Sequence, residues 1–184
     1  MTQLRRFRKL AARTILLSTL TLTVLAAQNL QTKASETHSI KLEELSFHPQ
    51  NLAITKHDAI TWTNNDPVIH TLWFVYEENK STYTLSNPIL PGQSWSHTFN
   101  NPTKLTYYSQ ERLWITGRIR IVKVLGDINW NNLVDVHDLH TLGKSYQTTS
   151  GQPNWNEDAD INFNNIVDEP DLSILSDNYG KTDP

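Results

Sequence analysis

Two stretches of the chain repeat the same alternation of oxygen-bearing side chains. Residues 127–146 read DINWNNLVDVHDLHTLGKSY and residues 160–179 read DINFNNIVDEPDLSILSDNY, with eleven of twenty positions identical at an offset of 33 residues. An internal repeat of this kind marks a duplicated structural unit. In each copy, carboxylates and carboxamides stand at positions 1, 3, 5, 9 and 12 of a twelve-residue loop. This spacing is typical of a calcium loop, in which a hard cation collects about six to eight oxygen ligands.

The sequence therefore predicts two bound calcium ions. Position 7 of each loop contributes a backbone carbonyl, so an apolar side chain is allowed there. The predicted ligands of the first loop are Asp127, Asn129, Asn131, Leu133, Asp135 and Asp138. Those of the second loop are Asp160, Asn162, Asn164, Ile166, Asp168 and Asp171. The alternative is a pair of aspartate- and asparagine-rich turns that hold no ion.

Three further positions of the loops affect how they turn and bind. Position 6 normally needs glycine because the chain turns there with positive φ, yet both copies carry asparagine, Asn132 and Asn165. Asparagine tolerates that region best among the other residues, so we expect a small cost. Position 12 is aspartate rather than the longer glutamate, which predicts weak sites, with dissociation constants on the order of 10⁻⁴–10⁻³ M or somewhat tighter. Val134 and Val167 are expected where the two loops pack together.

An apolar-periodic segment after each loop predicts a short helix. The expected helix faces are Leu139, Leu142 and Tyr146 in the first copy, and Leu172, Leu175 and Tyr179 in the second. Residues 125–184 thereby resemble a type I dockerin domain, a small all-α module with EF-hand-like loops. The resemblance implies a module that folds on calcium and docks onto a cohesin domain. Dockerins commonly carry a Ser-Thr pair before the last ligand, but here the pairs are Val136-His137 and Glu169-Pro170. This departure leaves the identity, and even the existence, of a cohesin-like partner open.

Charge and composition exclude several classes of function. Residues 126–184 carry eleven acidic and two basic side chains, a local net charge of −9. The acids stand at fixed spacing between apolar residues, which favours a cation site over a disordered acidic tail. We expect no nucleic-acid partner, because no basic stripe is available for phosphates. The chain has no cysteine, and no motif of a hydrolase, zinc protease or phosphate-binding loop is present, so we expect no enzyme.

The N-terminus has the pattern of an export signal. Five basic residues among the first 13 precede an uncharged run of 13 residues, 15–27, that ends in small side chains. This pattern predicts a signal peptide over 1–27, followed by a short leader segment over 28–37. The run is shorter than the roughly 20 residues of a membrane span, although a retained membrane anchor is the alternative. We expect a secreted, extracellular or cell-surface protein with no membrane contact beyond the signal.

Residues 38–124 read as short alternating strands between turn signals, the pattern of a β-sandwich. The predicted strands are 40–45, 51–55, 59–63, 95–99, 105–108 and 118–122. The ordered pieces FHPQNLAITKHDAITWTNND, VIHTLW, LPGQSWSHTF and LTYYSQERLWITGRIRIV resemble the plastocyanin-like branch of the cupredoxins. The resemblance implies an all-β Greek-key sandwich, and a generic immunoglobulin-like sandwich is the alternative.

The copper ligands that this resemblance would require are mostly missing. A blue-copper site uses two histidines, a cysteine thiolate and a weak axial methionine. His70 stands at the first position, but Ser109 stands at the cysteine, Arg112 at the second histidine and Ile115 at the methionine. A hydroxyl does not replace a thiolate, and the fixed charge of an arginine repels copper. We therefore expect no type 1 copper, and His70 is interpreted as structural.

Together these patterns predict a secreted, non-catalytic, two-domain protein that is a monomer or a docked subunit. A copper-less cupredoxin-like sandwich would be anchored by a dockerin-like module to a cohesin or other partner, in an extracellular assembly linked to polysaccharide breakdown. The alternative is a redox or copper-handling protein with a nonstandard metal site near His70, for which His48 and His97 are further candidates. A third hypothesis is carbohydrate binding through Trp114 on the former ligand loop, for which plain packing is the competing interpretation.

Overall fold

The computed structural model describes residues 34–183 except 79, 81 and 85, and gives the backbone alone for 82–84. The predicted signal peptide over 1–27 and most of the leader segment lie outside the described residues. Residues 35–183 form one compact unit. Among the described residues, no helix combines the length and the apolar character needed to cross a bilayer.

Between residues 37 and 122 the described residues form nine strands. They are β1 (Thr37–Glu43), β2 (Ser46–His48), β3 (Asn51–Thr55), β4 (Ala59–Asn64), β5 (Leu72–Tyr76), β6 (Thr82–Thr84), β7 (Ser94–Thr98), β8 (Thr103–Ser109) and β9 (Arg112–Val122). The described residues after 122 form two helices, α1 (Val136–Ser145) and α2 (Glu169–Asn178). Each helix follows one of the two repeated loops, as the repeat predicts.

The strands build two facing sheets. One has the order β2-β1-β4-β7 and the other the order β3-β9-β8-β5-β6. The pairs β1–β4 and β3–β9 are parallel, and the other neighbouring pairs are antiparallel. Strands β3 and β4 are consecutive in the chain but lie in different sheets, so the chain crosses from one layer to the other. The β-sandwich predicted from the alternation of the sequence is confirmed.

Apolar side chains at alternate strand positions fill the space between the sheets. Strand β4 shows the pattern most regularly, with every second residue from Ile60 buried. Trp62 is completely buried, and its ring centroid lies 5.7 Å from that of Phe74 and 5.9 Å from that of Tyr107. Large aromatic rings contribute much of the apolar area that a small sandwich removes from water. This aromatic centre fixes the two sheets against each other.

The sequence-based strand predictions were incomplete. They included β3 over its full length, but they omitted β2, β5 and β6 and began β9 six residues late. Strand β5 reads LWFVY, and its residues alternate between buried and half-buried up to Val75. Because the half-buried positions also carry apolar side chains, the sequence shows no period-two signal there.

The residues after the sandwich have a small core of their own. Val134 and Val167 are completely buried in it, and Leu142 and Leu175 are each 1% exposed. The predicted helix faces are buried only in part, because Leu139, Tyr146 and Tyr179 are exposed. Residues 124–183 are called the C-terminal module below.

The two halves of the C-terminal module interlock through their backbones. Leu133 of the first loop forms a bridge with Thr182, which follows α2, and Ile166 of the second loop forms a bridge with Thr149, which follows α1. The amide of Gly180 donates a hydrogen bond of 2.8 Å to the carbonyl of Val134. Each loop is thus held by the segment that leaves the other helix, so the two copies form one structural unit.

A pair of glycine substitutions tests the packing of the sandwich. A Cβ added at Gly117 on β9 would meet the carbonyl oxygen of Gln50 and lie 2.6 Å from Cζ of Tyr107, whereas one added at Gly143 in α1 meets nothing within 4 Å. We expect Gly117→Ala to lower the free energy of unfolding by about 1–3 kcal/mol through overpacking. The control Gly143→Ala should raise it by about 0.5–1 kcal/mol. Urea denaturation measures both, and equal effects would contradict the described packing.

Candidate functional site

The aspartate at position 1 closes each repeated loop on itself. Oδ1 of Asp127 accepts a hydrogen bond of 3.0 Å from the amide of Asn131, and Oδ2 accepts one of 2.8 Å from the amide of Asn132. The same two bonds to Asp160 in the second loop measure 3.1 and 3.0 Å. The repeat in sequence is therefore also a repeat in geometry.

The aspartate at position 12 ties the start of each helix back to its loop. Oδ1 of Asp138 accepts from the amides of Ile128 at 2.8 Å and Asn129 at 3.1 Å, and Oδ2 accepts from the amide of Asp135 at 2.9 Å. Asp171 makes the corresponding bonds at 2.7, 3.0 and 3.0 Å. This residue lies in the first turn of the helix. Its carboxylate therefore joins the start of the helix to the amides of loop positions 2, 3 and 9.

The asparagines between these ends shape the turn. Oδ1 of Asn129 accepts from the amide of Asn131 at 3.0 Å, and Oδ1 of Asn131 accepts from the amide of Leu133 at 2.9 Å. Asn132 and Asn165 have φ values of 73° and 68°, so the left-handed conformation predicted for position 6 is confirmed. Backbone amides thus orient the side-chain oxygens around each loop.

The donor set of the loops fits a hard divalent cation. Four carboxylates are almost completely withdrawn from water, with exposures of 6% for Asp127, 0% for Asp138, 2% for Asp160 and 0% for Asp171. Burial raises the pKa of Asp127, and the nearby charge of Asp138 raises it further; burial and Asp171 act in the same direction on the pKa of Asp160. Oδ1 of Asp168 is buried and has no hydrogen-bond partner among the described residues. Calcium would supply the missing positive charge and take oxygen ligands of this kind.

Carboxylates alone would not make up such a site. Across the described residues, three or more His, Cys, Asp or Glu side chains do not gather anywhere in a way that could hold a metal ion. Each loop combines its three aspartates with two asparagine oxygens and one backbone carbonyl. The structure places six of the twelve predicted ligands on each loop, and calcium binding by them stays a prediction.

A second polar cluster lies at one end of the sandwich, around His70. Nδ1 of His70 lies 2.9 Å from Oγ of Ser109, and Nε2 lies 3.1 Å from Oδ2 of Asp66. His70 and Ser109 are completely buried, and Asp66 is 4% exposed. The structure therefore brings together the two positions that the sequence resemblance assigned to the first histidine and the cysteine of a copper site.

A carboxylate that the sequence analysis missed completes this cluster. Oγ of Ser109 donates a hydrogen bond of 3.1 Å to Oε2 of Glu111. The amide and the hydroxyl of Thr71 donate to the same carboxylate at 2.7 and 2.6 Å. Burial by itself would raise the pKa of Glu111, but these hydrogen bonds outweigh it and hold the pKa below its usual value. The available signal was the closeness of Glu111 to Ser109 in the chain.

These residues do not fit a type 1 copper ion. Both ring nitrogens of His70 already face hydrogen-bonding partners. Ile115, at the methionine position, is 2% exposed and belongs to the main core. His97 stacks on Trp95 with ring centroids 5.6 Å apart, and burial lowers its pKa. In the part of the chain that the structure describes, His48, His70 and His97 are not gathered into one metal site.

Trp114 is one of the most exposed large side chains described in the sandwich, at 72%, next to Leu113 at 65%. The register of β8 and β9 shifts between Tyr108 and Ser109, and such an irregularity re-aims the side chains beside it. The interpretation of Trp114 as a packing residue is therefore wrong. Its exposure is compatible with carbohydrate binding without being specific for it.

The solved structures that this chain resembles include cupredoxins. A mutant of amicyanin in its Cu(I) form is 17% identical, with a TM-score of 0.43 over 48% of this chain and 84% of that chain. A purple cupredoxin from Nitrosopumilus maritimus is 24% identical, with a TM-score of 0.41 over 46% and 98%. Amicyanin from Paracoccus versutus is 14% identical, with a TM-score of 0.42 over 50% and 85%. No family model and no curated protein sequence matches the chain.

These likenesses cover about half of the chain, and their TM-scores are below 0.5. Nothing about copper or electron transfer in this chain follows from them. They fit the copper-related alternative at most, and they give no support to the dockerin resemblance or to calcium.

A charge-neutralising substitution tests the cluster around His70. The pKa of Glu111 is lower in the folded protein, so its stabilising contribution is present above the unfolded value of about 4.3 and is lost as the pH falls through the folded value. We expect Glu111→Gln to lower the free energy of unfolding at pH 7 and to have a smaller effect near pH 3. Urea denaturation at both values measures this. Glu44→Gln, at an exposed turn, is the control, and a pH-independent loss at Glu111 would contradict the described hydrogen bonds.

Proposed function

We propose that this chain is an exported, non-catalytic, calcium-binding protein whose C-terminal module binds two ions and anchors the sandwich to a partner. The observation that supports the proposal is the pair of loops with matching hydrogen bonds, each of which withdraws two carboxylates from water. Burying two like charges side by side is costly unless a cation joins them. Export rests on the N-terminal pattern of the sequence.

In this function calcium binding stabilises the two loops first and, through them, the helices that begin on the loops. The ion compensates the buried aspartates and fixes position 12, which is also the first turn of the helix. Free calcium at about 100 times its dissociation constant adds about 2.7 kcal/mol per site to the free energy of unfolding. Since each loop is bridged to the segment leaving the other helix, an ion in one loop also stabilises the other copy.

The partner is proposed to be a cohesin-like or other protein. The helices expose apolar side chains that a partner could cover, with exposures of 56% for Val136, 40% for Leu139 and 53% for Tyr179. A place in an extracellular assembly for polysaccharide breakdown follows only from the resemblance of the loops to dockerins, since function does not follow from fold.

Calcium binding is tested by titrating the chelator-treated chain in a calorimeter while helicity is followed by circular dichroism. We expect two bound ions and a gain of helix. Asp127→Ala or Asp160→Ala should abolish one site and lower the melting temperature measured in calcium, because each removes a loop-closing carboxylate. Asp177→Ala, an exposed acid in the last turn of α2, is the control and should leave both sites intact. An unchanged stoichiometry in the two loop variants would count against the proposal.

The second candidate function is copper or redox chemistry at His70. The observation that favours it is the contact of 2.9 Å between His70 and Ser109, which reproduces the neighbourhood of two copper-ligand positions without their thiolate. We expect copper loading to give neither stoichiometric metal nor the intense blue absorption of a copper–thiolate bond. One tightly bound copper that is lost in His70→Asn would instead establish the second candidate.

A further inference from the structure

Arg120, on strand β9 of the sandwich, lies in the contact with the second calcium loop. The residue is 4% exposed, and a buried guanidinium is costly unless its charge and donors are compensated. Nε has no hydrogen-bond partner among the described residues, but it lies 3.5 Å from the carboxylate of Asp158. Nη1 donates to the carbonyls of Asp158 at 3.4 Å and Asp160 at 3.3 Å, and Nη2 donates to the carbonyl of Glu157 at 2.5 Å. Asp160 is position 1 of the loop, so the sandwich holds the backbone from which the first ligand projects.

The same guanidinium also contacts the fourth residue of that loop. Cζ of Arg120 lies 4.2 Å from the ring centroid of Phe163, a cation–π distance. Phe163 has a φ of 62°, in the left-handed region that bulky side chains rarely adopt. Such a conformation persists where the surrounding structure holds it. Arg120 therefore contacts the loop at position 1 and at position 4, and the predicted ligand Asn162 lies between these two positions.

The first loop meets the sandwich through a longer contact. Its position 4 is Trp130, with a φ of 63°, and Nζ of Lys104 lies 5.5 Å from the ring centroid. The ion pair of Lys104 goes to Asp158, outside the first loop, at 2.7 Å. The two loops have nearly the same sequence and hydrogen bonds, but they have different neighbours.

Position 9 differs between the loops as well. In the first loop, Oδ1 of Asp135 accepts from the amide of His137 at 2.7 Å, and the ring nitrogen Nδ1 of His137 lies 3.1 Å from the same oxygen. In the second loop, Oδ1 of Asp168 is buried without a hydrogen-bond partner among the described residues. A cation in the first loop must compete with His137 for that carboxylate, and a cation in the second loop finds the oxygen available.

We infer that Arg120 is a positioning residue of the second calcium loop, that this loop binds calcium more tightly than the first, and that its occupancy is coupled to the sandwich. The inference rests on the proposed calcium function. Because Arg120 holds the start of the loop before any ion arrives, less conformational freedom is lost on binding. Its positive charge opposes calcium, but the carboxylate of Asp158 lies 3.5 Å from Nε and offsets that charge.

The coupling must act in both directions. If Arg120 strengthens calcium binding by some factor, calcium strengthens the attachment of Arg120 to the loop by the same factor. Calcium should therefore protect the amides of β9 from hydrogen exchange, although that strand contains no ligand.

The test is a calcium titration of the full chain and of Arg120→Met, followed by the NMR signals of the Asn132 and Asn165 amides. These amides donate to Asp127 and Asp160, so each reports one loop. In the unmodified chain we expect Asn165 to respond at lower calcium than Asn132. In Arg120→Met we expect the calcium affinity of the second loop to fall on the order of tenfold and that of the first loop to change little. A purely structural defect would weaken both loops alike.

Three further variants separate positioning from charge and from misfolding. Arg118→Met removes the same charge from the same strand, but Arg118 pairs with the side chains of Glu77 and Glu157, so both loops should be unaffected. Arg120→Lys keeps the positive charge but loses the planar guanidinium with its several N–H donors. It should therefore lower the calcium affinity of the second loop as Arg120→Met does. Phe163→Leu leaves the guanidinium in place and should lower the calcium affinity of the second loop alone. It keeps the inference testable if Arg120→Met folds poorly.

The outcomes are distinguishable. Three results would overturn the inference and leave calcium binding standing. Both loops of the unmodified chain could saturate together, both loops of Arg120→Met could lose affinity equally, or the second loop of Arg120→Met could bind calcium more tightly. No response of either amide at millimolar calcium would overturn the proposed function itself.

Discussion

Charged groups removed from water must be compensated, and this requirement shapes both parts of the molecule. In the C-terminal module, backbone amides hold pairs of buried aspartates, and burial together with the neighbouring carboxylate raises the pKa of Asp127 and of Asp160. At the junction, the buried guanidinium of Arg120 donates to the carbonyl of Asp160 in the second loop and to the carbonyls of Glu157 and Asp158 just before it. The loops, the helices that begin on them and their attachment to the sandwich all depend on this compensation.

The same requirement applies to the buried polar side chains at one end of the sandwich. His70 and Ser109 are completely buried there, so their polar atoms need hydrogen-bond partners. Asp66 lies within hydrogen-bond distance of Nε2 of His70. The hydroxyl of Ser109 and the amide of Thr71 both donate to the carboxylate of Glu111. A network of hydrogen bonds occupies this end of the sandwich. It links the segment before β5 to the hairpin of β8 and β9.

Short-range features were predictable from the sequence because they are set within one turn or one strand. The ligand spacing of the loops, the left-handed Asn132 and Asn165, the helices after the loops and strand β3 all belong to this class. Strand β5 was missed because its half-buried positions also carry apolar side chains, which removes the alternation that marks a strand in the sequence. The left-handed Trp130 and Phe163 were missed because aromatic residues have no intrinsic preference for that conformation. Both copies adopt it at position 4 although their neighbours in the sandwich differ, so the turn of the loop sets it.

The sequence by itself determined which oxygen-bearing side chains stand around each loop, because each loop is a local structure of twelve consecutive residues. Tertiary structure alone decided what lies next to those loops. Arg120 is 40 residues from the carbonyl of Asp160, and Thr71 is 40 residues from Glu111. Contacts over such separations depend on how two sheets and a module pack, and no periodicity in the chain records them. Two loops of nearly the same sequence therefore have different hydrogen-bond partners in the folded protein, since Arg120 donates to the carbonyl of Asp160 in the second loop.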